Sequence, residues 1–172
     1  MPKPPVRFLP AFVADPATLL DWLQNETAWD ERMRSRRTAS FGLAYDYSQI
    51  AYPDSTMPPQ LDSLCIAIDG ELGFRPNNCL VNDYPDGGSR MGYHSDQLDR
   101  MAPGTGVAIL SLGAARGMAF RLKQDHAVRH DMLLPAGSLL YMPAEMQADW
   151  QHAIPPQPGA GARISLSFRA LI

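Results

Sequence analysis

His94 and Asp96 stand two residues apart in the run NDYPDGGSRMGYHSDQLD. In an extended chain that spacing turns both side chains to one face, so an imidazole and a carboxylate can share a metal ion. A third ligand must come from elsewhere. His126 and His130 lie in a polar connection, DHAVRHD, whereas His152 follows a strand and a loop in GSLLYMPAEMQADWQHAIP and is the better candidate. Two histidines and one carboxylate, with the other coordination positions open, make the facial triad of non-haem Fe(II) oxygenases. The same donors also suit a zinc ion that activates a water for hydrolysis.

A second pair sits near the C-terminus, where ARISLSFRAL places Arg163 and Arg169 six residues apart. An even spacing puts both guanidinium groups on one strand face. Two inward arginines are costly unless they meet anions, and a dicarboxylate co-substrate offers two, each held in a bidentate grip. The plain alternative is an edge strand whose arginines are solvated.

The elements that must position these groups are mostly short strands. From Asn77 onward, apolar runs separated by turns (CLVNDY, GVAILSLG, MAFRLK, MLLPAGSLLYMP, RISLSFRALI) have strand texture, with PDGG, APGTG, PAG and PPQPGAGA as breaks. ISLSF alternates cleanly, whereas VAILSL is continuous enough for a strand buried on both faces. Upstream, Asp15 and Pro16 mark the start of a helix carrying Leu19, Leu20 and Leu23 on one face. A second, shorter helix is expected at PQLDSLCIAIDGELG, entered at Pro58 and Pro59 and left at Gly73. The intervening TASFGLAYDYSQIAYPDSTMPP reads as loops and hairpins. Several strands without alternating helices predict an α+β, mainly β chain with a jelly-roll core and helices packed outside.

Composition agrees. The chain has 172 residues, one domain's worth, with 45% hydrophobic and 19% charged residues, enough to bury a core and too little charge for disorder. Sixteen Pro and 13 Gly favour many short elements. A net charge of −3 excludes a wholesale basic coat but not a local basic groove. Cys65 and Cys79 lie in apolar runs without metal or redox spacing, so buried free thiols are expected. With no leader-like segment and no window of ~18 apolar residues, a cytoplasmic, reducing setting off the membrane is expected.

Taken together these residues resemble the AlkB family of Fe(II)- and 2-oxoglutarate-dependent dioxygenases. The likeness rests on Asn82 and Tyr84 in NxY, His94 and Asp96 in HxD, His152 before Ala-Ile-Pro, and the RxxxxxR of Arg163 and Arg169. It runs from RRTASFG, near Arg36, to the end of the chain. The resemblance implies a double-stranded β-helix core over residues 76–172, preceded by helices and a substrate lid over 1–75, as a single domain. It implies Fe(II) on His94, Asp96 and His152, and 2-oxoglutarate on Asn82, Tyr84, Arg163, Ser165 and Arg169. Arg163 would meet the distal carboxylate and Arg169 the C1 end, with O2 as the other co-substrate. The reaction implied is oxidative N-demethylation of alkylated nucleic-acid bases, releasing formaldehyde, succinate and CO2. The same chemistry on a protein side chain or small molecule is the alternative, and an iron-free binding module ranks last because every ligand position is filled.

The substrate side departs from the family. Repair members carry a carboxylate two residues after the iron-binding aspartate, where this chain has Leu98; Asp99, one further on, replaces it only if the loop bends. Arg32, Arg34, Arg36 and Arg37 with Phe41, Tyr45 and Tyr47 compose a basic and aromatic lid suited to phosphates and bases. Substrate contacts are therefore expected from Arg36, Phe41, Tyr45, Leu98 and Asp99. Alkylated DNA or RNA is the expected partner, with no protein partner and a monomeric chain.

Overall fold

The computed structural model describes residues 1–47 and 50–172. Strands come in chain order as β1 (Arg7–Leu9), β2 (Arg37–Gly42), β3 (Tyr45–Tyr47), β4 (Ile50–Tyr52), β5 (Asn78–Tyr84), β6 (Met91–His94), β7 (Val107–Gly113), β8 (Arg116–Leu122), β9 (Arg129–Leu134), β10 (Leu139–Met142), β11 (Trp150–Ile154) and β12 (Arg163–Arg169). The helices are α1 (Pro16–Glu26), α2 (Pro59–Leu72) and the single turn α3 (Met146–Asp149). A major sheet runs β1-β10-β7-β12-β5-β2, a minor sheet β6-β11-β8-β9, and β3 and β4 pair as a hairpin. Two antiparallel sheets facing each other, with helices outside the larger one, make the expected jelly roll.

The helices form where their signals stand. Asp15 caps α1 by accepting from the Thr18 amide, and Pro16 occupies its first turn. α2 ends on Gly73 at φ 80°, a left-handed position that favours glycine. At 14 residues α2 is longer than the 11 of α1, not shorter as expected. Gly70 does not interrupt it, because Leu61, Cys65 and Ile68 stay buried along one stripe.

That stripe joins Leu23 of α1 and the outward rows of the major sheet in one core, including Val81, Leu110, Leu112, Ile164, Leu166 and Phe168. A second core lies between the sheets, around Leu80, Ile109, Met118, Phe120, Trp150 and Ile154. β5 and β12 are covered on both faces, and every residue of each is buried. Cys65 and Cys79 are free and buried, as expected.

Two further features differ from the sequence reading. β1 and β2 pair into the major sheet, so residues 1–75 supply two of its six strands as well as α1 and α2. His130, expected in a connection, lies in β9. This edge strand exposes Arg129, Asp131 and Leu133 on alternate positions, so its outer face is nearly as polar as a loop. Among the described residues no helix is long and apolar enough to cross a membrane.

Candidate active site

The site is built by strand parity. Along β12, Arg163, Ser165, Ser167 and Arg169 line a cavity between the sheets, while Ile164, Leu166 and Phe168 enter the helix-side core. Register places Arg163 beside Tyr84 of β5, and Ser165 between Asn82 of β5 and Ser111 of β7. Leu80, Asn82 and Tyr84 line the same cavity, and Ile109, Met118 and Ile154 supply apolar wall.

His94, Asp96 and Met91 also border a second, outer cleft, so the histidine and carboxylate sit where cavity and cleft join. His94, last in β6, is paired across the minor sheet with His152 of β11, their ring centroids 4.3 Å apart. Asp96 lies past the strand end, with Oδ2 3.6 Å from His152 Nε2 and Oδ1 4.0 Å from His94 Nε2. One ligand atom from each of the three lies within 4.8 Å of the others, and this is the group of metal-ligating side chains found among the described residues. His126 and His130 take no part. Nδ1 of His94 bonds the Gly92 carbonyl at 2.9 Å, which leaves Nε2 toward the cluster.

Protonation suits a metal. Burial pushes His152 down to about 4, so near neutral pH its imidazole is uncharged and offers a lone pair. Burial alone would raise the Asp96 carboxyl, but Arg169 and the two histidines outweigh it and hold the group below the ordinary carboxylate value. Two imidazoles and one carboxylate are the donor set of a facial triad.

The arginines divide the cavity. Arg169 donates through Nη2 to Asp96 Oδ1 at 3.0 Å, and its guanidinium lies 4.8 Å from the Tyr45 ring centre. Arg163 is wholly buried at the closed end. Its Nη2 donates to Ser111 Oγ at 3.0 Å, while Nε and Nη1 have no hydrogen-bond partner among the described residues. Burial lowers its pKa, and the charge of Arg116 works the same way. Arg116 is as fully buried, and the guanidinium groups of Arg116 and Arg163 each lie over the Tyr84 ring, at 5.6 Å and 5.2 Å from its centre. Arg116 is held by the carbonyls of Ser89 and Pro155, each at 2.8 Å. A buried cation with two nitrogens that lack a hydrogen-bond partner among the described residues is a seat for a carboxylate, so the residues fit 2-oxoglutarate as well as a metal.

The structure thus gathers His94, Asp96, His152, Asn82, Tyr84, Arg163, Ser165 and Arg169 around one cavity. The expected substrate residues scatter. Arg36 and Tyr45 border the outer cleft, although Arg36 is buried and donates to Asn82 Oδ1 at 2.8 Å. Phe41 does not reach it: on β2 it shares parity with Ala39 and packs against the helix-side core. Arg37 likewise turns away, to Asp83 and the Trp29 ring, and Arg32 pairs with Asp30. The side chain of Tyr47 lies outside the described residues. Leu98 is 39% exposed and lines neither cavity nor cleft, so it is not beside the metal site as expected. The loop bends through a turn in which Met101 N bonds Leu98 O at 3.0 Å, which leaves Gln97 and Asp99 facing Tyr45.

Sequence reasoning missed Ser167, Ser111, Arg116, Gln97 and Gln147. Parity could have found Ser167, two beyond Ser165, and Ser111 is the lone polar residue inside VAILSLG. The other three are placed by turns and tertiary contacts that no local pattern announces.

The family model described as the 2OG-Fe(II) oxygenase superfamily matches residues 12–169. The chain belongs to this superfamily and, within it, to the AlkB family. It is 29% identical over 153 residues to human "DNA oxidative demethylase ALKBH2", covering 84% of this chain and 59% of that protein. It is 30% identical over 173 residues to rat "Alpha-ketoglutarate-dependent dioxygenase alkB homolog 3", covering 89% and 59%. The chain thus spans about 59% of the length of both relatives. The solved structure of OsALKBH1 superposes with a TM-score of 0.74 at 18% identity, covering 98% of this chain and 99% of that one, which shows the shared fold. The family's set is Fe(II) with 2-oxoglutarate and O2.

Proposed function

We propose that this chain is an Fe(II)- and 2-oxoglutarate-dependent dioxygenase that removes alkyl groups from nucleic-acid bases. The observation that carries the reading is the alignment of two sites in one cavity: the His94–Asp96–His152 cluster at its mouth and the buried, part-bonded guanidinium of Arg163 at its closed end. A hydrolytic zinc site gives that buried cation no anion to meet.

Bound together, Fe(II), 2-oxoglutarate and O2 supply an oxidant that hydroxylates a nearby C–H bond, with succinate and CO2 as co-products. His94, Asp96 and His152 hold the metal. Arg163 with Tyr84 takes the distal carboxylate; Arg169, braced on Asp96 and stacked under Tyr45, faces the C1 end, with Asn82 and Ser165 beside it. Leu80, Ile109, Met118 and Ile154 exclude water from that space. An N-methyl group hydroxylated at the mouth falls apart to formaldehyde and the free base. Support for a nucleic acid as substrate comes from the name of the human relative, a DNA oxidative demethylase, and from the cleft bordered by Arg36, Tyr45 and Gln97.

The test is incubation with a panel of alkylated DNA and RNA oligonucleotides, with formaldehyde, succinate and oligonucleotide mass followed together. Stoichiometric formaldehyde and succinate support the reading. Succinate without dealkylation of any oligonucleotide moves the substrate to a protein side chain or small molecule.

A further inference from the structure

Asp96 lies two residues beyond β6, where sheet hydrogen bonds no longer fix the backbone. Two links to the segment ahead of His152 take their place. Ser95 Oγ donates to the Trp150 carbonyl at 2.8 Å. The Asp96 amide donates to Oε1 of Gln147 at 2.8 Å, and Nε2 of the same side chain donates to Asp96 Oδ2 at 3.3 Å. Gln147 is 3% exposed and sits in α3. Because its amide oxygen is committed to the Asp96 N–H, its NH2 group must face the carboxylate. Arg169 takes the other oxygen, Oδ1, so the carboxylate is held on both sides. The backbone of Gln147 is anchored in turn: its N–H meets the Ala144 carbonyl at 3.1 Å and its own carbonyl accepts from Lys123 Nζ at 2.6 Å.

We infer that Gln147 is a positioning residue of the metal site. Its single amide fixes both the backbone and the carboxylate of Asp96, the only anionic ligand and the one ligand outside a strand. The inference rests on the metal-site reading above. Partners that orient a ligand from behind commonly govern metal affinity as much as geometry does.

The test is Gln147→Met, which keeps nearly the same length while removing both hydrogen bonds. Metal-free protein is titrated with Mn(II), and free ion is followed by electron paramagnetic resonance. The expected result is a dissociation constant weakened by about 10- to 100-fold. A merely structural role predicts the opposite split: a lowered melting temperature of the metal-free protein with unchanged Mn(II) affinity in its folded fraction, and that result overturns the inference. Wild-type protein provides a check that needs no variant. With the metal absent, the Asp96 amide should exchange slowly with solvent although it lies past the strand; rapid exchange also overturns the inference. If wild type itself binds no Mn(II), the metal site is refuted and the inference falls with it. If wild type binds and Gln147→Met binds equally well, only the positioning role is refuted.

Discussion

The closed end of the cavity and its mouth are built by different means. At the closed end, Arg163, Ser165, Ser167, Asn82 and Tyr84 project from two adjacent, wholly buried strands, and their positions follow from a period of two and one cross-strand register. At the mouth, Arg36, Tyr45, Gln97 and Asp99 come from separate strand ends, a hairpin and a turn, and no common period relates them. On the proposed function, the contrast teaches that co-substrate grip would be a property of the sheet, whereas substrate choice would belong to the loops and could change without disturbing the core.

The largest effect should come from Asp96→Ala. It removes the anionic ligand and leaves Arg169 buried without that partner, so Mn(II) binding and turnover should both disappear while circular dichroism still reports the folded sheets. His126→Ala and His130→Ala should leave metal binding intact, and loss of metal in either would break the assignment of the mouth.

Arg163→Ala tests the closed end. Removing the cation that meets a buried carboxylate costs about 3–5 kcal/mol, which raises the KM for 2-oxoglutarate by roughly 100-fold or more. Lysine should restore only part, because an ammonium cannot form the fork. An unchanged KM in Arg163→Ala would place the co-substrate elsewhere.

Neighbours on β12 sharpen the comparison further. Leu166→Ala, on the helix side, should cost about 2–5 kcal/mol of stability with little change in KM. Ser165→Ala, one residue away on the cavity side, should shift KM for 2-oxoglutarate modestly and stability by less than about 1 kcal/mol. Both outcomes are read from denaturant melts and steady-state kinetics on the same preparations.

At the mouth the smallest effects separate two neighbours. Leu98→Asp should leave dealkylation unchanged, since Leu98 lines neither the cavity nor the cleft, whereas Gln97→Ala should raise the KM for oligonucleotide without altering that for 2-oxoglutarate. An activity gain in Leu98→Asp would mean the loop turns inward when substrate binds.

These expectations also mark how far the sequence is legible. HxD spacing, the even interval between Arg163 and Arg169, and the apolar run VAILSL each follow from extended geometry, so the His94–Asp96–His152 cluster, the cavity-facing row of β12 and the doubly covered strands could all be read. Phe41 and Leu98 could not. Phe41 belongs to a strand whose parity depends on its pairing with β5, and Leu98 to a turn whose direction is set by a hydrogen bond to Met101. Arg116 and Gln147 were invisible for the same reason, since each acts on residues brought near only by the assembled sheets.

The central claim is that one cavity joins a metal at His94, Asp96 and His152 to a dicarboxylate at Arg163. It is tested most directly by anaerobic titration of Fe(II)-loaded protein with 2-oxoglutarate, following the weak visible charge-transfer band of keto-acid chelation. Wild type should develop the band and saturate; Arg163→Ala should develop the same band only at far higher 2-oxoglutarate; Asp96→Ala should show none. A band of equal affinity in wild type and Arg163→Ala, or one that survives in Asp96→Ala, would contradict the account.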